Sequence, residues 1–292
     1  MRRSTAGRPA ATRKRSGGAN TSVGTAFPDG IPVTIQPVTV GGRGRPVLDF
    51  ELPQRYYDWS FIMAHFPAPT RSVETLVPVE GLEPVQIVPG LAVISLAAFE
   101  YRQMATLSAY NEVAIMVPVR YRPSPNIPLL PLLCPDEYDV GFWVHHLPVD
   151  TQEACDVGVQ VWGLPKVVAK ITFEDVGWMR RCQLEEDGQH VLTLSAAMGE
   201  TRLESRRFYA YSVLNGRLLK ALVDTRAQYH AWSVPGGASV TLGTHQIART
   251  LRELFLQTTA FAGLFAFTAK SRLHPGDLVE VVQTAATGAS AR

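Results

Sequence analysis

Lys166 is the residue whose setting most suggests covalent chemistry. It follows Gly163-Leu164-Pro165 and opens an apolar run, Val167-Val168, with Trp162 upstream and Ile171 downstream. An amine attacks a ketone carbonyl only as the neutral base, and in water at pH 7 a lysine is neutral in roughly one molecule in a few thousand. Apolar surroundings without a counter-charge disfavour the ammonium form. The neighbours of Lys166 therefore suggest a desolvated amine able to form an imine. The competing reading is a lysine at a sheet rim whose stem is covered and whose head reaches water. The chain holds 5 lysines against 23 arginines, so the other candidates are Lys14, Lys170, Lys220 and Lys270.

Two carboxylates could serve such an amine. Glu100 and Glu112 each interrupt an apolar, strand-like run. Buried glutamates are uncommon unless paired or protonated, so each either faces water at an edge or enters a cavity and moves protons there. Tyr110 and Asn111 add hydrogen-bonding groups beside Glu112 and make it the stronger candidate. Arg206, Arg207 and Tyr209 could bind an anionic substrate or form a solvated strand face. Other catalytic signatures are missing: there is no GxGxxG, Walker loop, HExxH or GxSxG. His145 and His146 are adjacent, so in a strand they point to opposite faces and cannot easily share a metal. Neither a metal nor an organic cofactor is expected.

The elements that must hold these residues are mostly strands. Val93–Tyr101, Val113–Tyr121 and Val140–Leu147 are β-branched and aromatic runs bounded by Pro, Gly or Asn. Val157–Val161 and Val167–Phe173 read as strands flanking the Gly163-Leu164-Pro165 turn. Val191–Ala197 and Thr201–Tyr211 read as a hairpin around Gly199-Glu200, and Leu278–Val282 as a closing strand. Helices are expected at Thr70–Leu76, capped by Thr70, at Val213–Val223, and at Thr244–Thr258. In the last, Ile247, Leu251, Leu254 and Phe255 form one stripe. Pro123–Pro135 reads as a loop. The expected fold is a β-rich α+β class: an antiparallel barrel or cone-like sheets with a few packed helices.

Against this background the segment Gly158-Val159-Gln160-Val161-Trp162-Gly163-Leu164-Pro165-Lys166 resembles the signature of the acetoacetate decarboxylase family. In that family the lysine after proline forms the Schiff base. A second stretch is also similar: Ala98-Phe99-Glu100-Tyr101, then Tyr110-Asn111-Glu112 running into Val117-Pro118-Val119, like the family's two glutamate-bearing strands. The resemblance covers roughly residues 50–270. It implies Lys166 as nucleophile, with Glu100 and Glu112 both in the active cavity. It also implies a small-molecule keto acid as partner and a homo-oligomer. The family's substrate-binding arginine aligns near Trp59, with Arg55 displaced from it. Arg55, Trp59, Tyr110 and Trp162 form the expected substrate contacts. Val167 replaces the second lysine common after the nucleophile, which leaves desolvation to activate Lys166. Gly158-Val159-Gln160 replaces Gly-Arg-Glu. The implied activity is a Schiff-base carbon–carbon lyase, first a β-keto acid decarboxylase. An aldolase or dehydratase acting on a pyruvate-like acid is the alternative, and a non-catalytic ligand-binding barrel is the third.

Composition bounds the rest. The 292 residues are 46% hydrophobic, enough for a large core. Net charge is +2, but residues 1–24 carry six basic side chains and no acid, so the remainder is mildly acidic. That argues against nucleic acid as a partner. No run of about 18 apolar residues suggests a membrane span. Cys134, Cys155 and Cys182 form no CxxC, which fits a reducing, cytoplasmic setting. The expected organisation is a basic tail over 1–26, one domain over 27–283 and a short tail over 284–292. An arginine-rich presequence is the other reading of the start.

Overall fold

The computed structural model describes residues 34–42, 45–121, 127–128, 140–233, 235–254 and 257–281. The expected tails and most of Pro123–Pro135 lie outside these residues. The chain runs β1 (Gln36–Gly42), β2 (Arg45–Leu52), β3 (Gln54–Pro69), α1 (Thr70–Glu74), β4 (Leu82–Pro84), β5 (Gln86–Val88), β6 (Leu91–Met104), β7 (Tyr110–Tyr121) and β8 (Gly141–Val149). It continues with α2 (Gln152–Trp162), β9 (Lys166–Val168), β10 (Lys170–Val176), β11 (Met179–Glu186), β12 (Gln189–Ala197) and β13 (Arg202–Leu214). The remaining elements are β14 (Arg217–Trp232), β15 (Ala238–Leu242), α3 (Gln246–Leu254) and β16 (Ala262–Val281).

Seven strands close a barrel in the order β7-β6-β3-β16-β14-β13-β8, with β8 pairing back onto β7. Neighbours are antiparallel except β8 and β13, which run parallel. A parallel pair cannot be joined by a tight turn. The intervening chain makes the crossover, and it contains α2, β9 and most of a second sheet, β10-β11-β12-β15. The expected β-rich class is therefore present, with one parallel seam and a separate covering sheet. No helix among the described residues is long and apolar enough to cross a membrane.

Strand alternation divides the apolar residues between two cores. On β3, β6 and β7, Ile62, Phe66, Ile94, Leu96, Ile115 and Val117 face outward and pack under the second sheet, against residues such as Leu184, Leu192 and Leu194. Trp59, Phe61, Phe99, Ala114 and Met116 face the barrel interior, whose end is closed by α2 and the β1–β2 ribbon. Strands buried on both faces read as continuous apolar runs, as these do in sequence.

Three expected elements are corrected. Val157–Val161 is helical, not a strand: Val157 is buried, Val159 exposed and Val161 half-buried. The residues expected to form one hairpin over Val191–Tyr211 belong to two sheets: β12 pairs with β11 and β15, whereas β13 pairs with β14. The expected Val213–Val223 helix is a β-hairpin. Leu214 pairs with Arg217 across Asn215 (φ 51°) and Gly216 (φ 74°). Two successive left-handed residues make the turn whose twist suits a two-residue hairpin, and Asn-Gly is its preferred sequence. At α1 the cap position is Pro69 rather than Thr70, and no side chain caps it. The third helix forms but is shorter than expected, with Ala248, Leu251 and Leu254 buried.

Candidate active site

The start and stop of α2 position Lys166. Thr151 is the N-cap, its hydroxyl accepting from the Ala154 N–H at 3.3 Å. Gly163 ends the helix in the left-handed region (φ 61°). The Gly163 N–H donates to the Val159 carbonyl and the Leu164 N–H to the Gly158 carbonyl, both at 3.1 Å. This is a glycine C-cap, and Gly163 is also required sterically, because a Cβ there would collide with the Val213 carbonyl. Pro165 then prevents any return to helix. Lys166 follows as the first residue of β9, paired in parallel with Leu147.

From there the Lys166 side chain enters the barrel. Its Nζ lies 2.7 Å from Glu112 Oε2, and the two side chains are 6% and 9% exposed. Both line a cavity of about 100 Å³ walled by Trp59, Phe99, Tyr101, Trp162 and Phe208. The amine is thus dry, as its neighbours suggested, but it is not alone. A carboxylate partner, which the desolvation expectation omitted, stands against it.

Three tyrosines surround this pair. The Tyr110 ring centroid is 5.2 Å from Lys166 Nζ, and the ring stands 4.8 Å from that of Tyr101, which in turn is 4.7 Å from Tyr56. Burial, reinforced by the nearby Glu112 charge, holds the Tyr101 hydroxyl above the ordinary phenol range, and Tyr101 hydrogen-bonds Glu112. Tyr56 and Tyr110 are raised for the same first reason, burial. The Tyr101 hydroxyl therefore donates to Glu112, while Tyr56 and Tyr110 bond each other.

The register decides which glutamate reaches the cavity. Glu112 is directly opposite Phe99, while Glu100 is opposite Asn111. Antiparallel partners share a face, so Glu112 points inward with Phe99 and Glu100 points outward. There Glu100 accepts from Arg180 at 2.7 Å, Arg102 at 3.0 Å and Ser60 at 3.1 Å. Arg102 also forks onto Asp58, and Arg180 onto Asp175 of the covering sheet. The expectation that both glutamates share the cavity is therefore corrected. Glu100 ties the barrel to its second sheet.

The expected substrate contacts also separate. Trp59 and Trp162 line the cavity. Trp162 donates from Nε1 to the His274 carbonyl at 2.9 Å, which fixes its ring. Trp59 Nε1 is buried and has no acceptor among the described residues. Tyr110 lies beneath the lysine. Arg55 does not line the cavity; it pairs with Glu51 at 2.7 Å. His145 is exposed, and His146 bonds Glu186 at 2.9 Å, far from a shared ligand arrangement. Sequence reasoning missed Tyr56 and Tyr101. Tyr101 is two residues beyond Phe99 on one strand, a same-face spacing that could have flagged it.

Comparisons with known proteins bear on the family and the fold. The acetoacetate decarboxylase family model matches residues 36–280. Acetoacetate decarboxylase from Legionella pneumophila superposes with a TM-score of 0.59 at 16% identity, over 78% of this chain and 87% of that one. The enduracididine biosynthesis enzyme MppR, in complex with the condensation product of pyruvate and imidazole 4-carboxaldehyde, gives 0.54 at 15% identity, over 78% and 90%. No curated protein matches the sequence. The two structural likenesses carry the fold, and the family model, spanning every strand of the barrel, carries the kinship: the chain belongs to the acetoacetate decarboxylase family.

Proposed function

We propose that this protein is a lyase that forms an imine between Lys166 and the ketone of a β-keto acid and releases carbon dioxide. The observation that carries the reading is the buried Lys166–Glu112 pair inside an aromatic-walled cavity. Proton transfer within the pair turns ammonium and carboxylate into amine and acid without changing the net charge of the cavity. The amine then attacks the carbonyl carbon, and the proton held by Glu112 goes to the departing hydroxide, which leaves as water. The resulting iminium draws the electrons of the carbon–carboxylate bond as carbon dioxide leaves. An enamine remains, is protonated at carbon, and is hydrolysed to the ketone and free lysine. Tyr101, bonded to Glu112, orients that carboxyl group. The unpartnered Trp59 Nε1 is a donor for a substrate oxygen.

Among the described residues, no arginine and no second lysine lines the Lys166 cavity. A carboxylate held there lacks a counter-ion and gains most by departing as a neutral gas. That favours decarboxylation over condensation of pyruvate, whose carboxylate must be kept.

Borohydride trapping tests the proposal. Incubation with acetoacetate, reduction and intact-mass analysis are expected to give one adduct, mapped to Lys166, with carbon dioxide released in the unreduced reaction. Lys166→Ala is expected to abolish trapping and Lys220→Ala to leave it. An adduct surviving Lys166→Ala overturns the assignment. Trapping of pyruvate with no carbon dioxide from any β-keto acid points to the condensing reaction. No adduct with any keto acid leaves a ligand-binding barrel.

A further inference from the structure

We infer that the carbonyl compound taken by Lys166 is elongated, with an apolar arm that ends in an anionic group; this rests on the imine reading above. A cavity of about 100 Å³ around the lysine is small for a complete ligand site, since such sites span about 300–1,000 Å³. A second cavity of about 360 Å³ adjoins it inside the same barrel. Trp59, Phe99 and Phe208 line both, so these three rings form a wall the two share. The walls of the larger space are apolar, with Phe61, Met63, Phe142 and Leu264, and no carboxylate lines it among the described residues.

Its charged residues are both arginines. Arg206 and Arg207, on the exposed part of β13, line this cavity. The Arg206 guanidinium lies 4.9 Å from the ring centre of Tyr229, itself a wall residue. Its partner is Glu204, at 2.7 Å, and both side chains are about 40% exposed. An exposed pair of this kind contributes little, so Arg206 can exchange Glu204 for a ligand carboxylate and bind it through two parallel N–H donors. Arg207, the next residue on the strand, turns its side chain to the opposite face. The rim thus presents the Arg206 guanidinium, held only by an exposed pair, across an aromatic space from the amine of Lys166. Trp59, with its free indole N–H, stands in the shared wall. A short β-keto acid fills only the inner cavity; a flat or aliphatic arm with a terminal carboxylate fills both.

The test compares two ketones that differ only in the terminal charge: 4-(3-oxobutyl)benzoate and 4-(4-methylphenyl)butan-2-one. Borohydride trapping at Lys166 is measured against ketone concentration, with acetoacetate as the short reference. The carboxylated ketone is expected to half-saturate at a concentration roughly tenfold lower than its neutral partner. In Arg206→Gln the ratio between the two is expected to fall toward one, and Arg206→Lys to restore part of it. Equal half-saturation of the two ketones in the unaltered protein, with acetoacetate trapped normally, overturns the inference and leaves the imine reading standing. Calorimetric titration of 4-(3-oxobutyl)benzoate into Lys166→Ala separates the two claims, because no imine can form there. Binding that is retained and depends on Arg206 supports the arm site. If no ketone is trapped at Lys166 in the unaltered protein, the imine reading falls and the substrate assignment falls with it.

Discussion

Gly158 lies directly under the Lys166 side chain: a Cβ at position 158 would stand within 2.5 Å of the lysine Cε and closer still to its Cδ. The helix that ends at Gly163 therefore also supplies, one turn earlier, the gap through which the lysine stem passes to Glu112. Because the colliding atoms belong to a flexible side chain, a methyl group there would displace the lysine rather than the backbone.

Gly158→Ala is accordingly expected to spare the fold and damage the chemistry. The melting temperature should change little, since alanine favours the helix. Borohydride trapping should fall by about 10²-fold, because a displacement near 1 Å at a reacting group has that effect. Intact-mass trapping beside a thermal melt checks both halves.

Glu112→Gln keeps the shape and removes the charge and the proton acceptor. Imine formation is expected to slow by about 10²–10⁴-fold, the range for lost general acid–base catalysis. Lys166 is then left without its 2.7 Å counter-ion. Breaking one half of a buried pair destabilises by about 3–5 kcal/mol. Pre-steady-state trapping and urea unfolding measure the two effects.

Glu100→Gln should do the reverse. Glu100 lies outside the cavity, so trapping is expected to match the unaltered protein. Arg180, buried at 5% side-chain exposure, keeps Asp175 but loses its other carboxylate. A stability loss of about 1–2 kcal/mol follows, read by urea midpoint.

His65 provides a pH dependence. Burial lowers its pKa to about 4 from 6.5, and its Nδ1 bonds Ser95 Oγ at 2.8 Å. A depressed folded pKa means the unfolded chain binds the extra proton first. The contribution is complete above about pH 6.5 and is lost as pH falls toward 4, by up to about 3 kcal/mol. Unfolding free energy measured across that window should vary less with pH in His65→Asn. An unchanged slope would remove His65 as the cause.

Much of the architecture was legible because local rules agree with the fold. The runs that became β6, β7 and β8 are β-branched and bounded by turn residues, and Leu251 and Leu254 of the expected stripe are buried on α3, while Phe255 lies outside the described residues. Where a local signal was misread, the cue existed. Asn215-Gly216 announces a hairpin, and Thr151 with Gly163 brackets a helix whose valines look like strand. The lysine was legible through Pro165 and its apolar neighbours, and the family likeness rested on the same residues.

The sequence by itself determined the chain's class, the lysine that enters the barrel and the pair of strands that bear the glutamates. Only the tertiary structure decided which glutamate meets that lysine. β6 and β7 are apolar on both faces, so no alternation in the sequence distinguishes inside from outside; the pairing of Phe99 with Glu112 does. The same is true of Glu100, which meets Ser60 and Arg180 from strands distant in sequence. Which face a residue takes, and what crosses the barrel to meet it, depends on closure of the sheet rather than on any local preference.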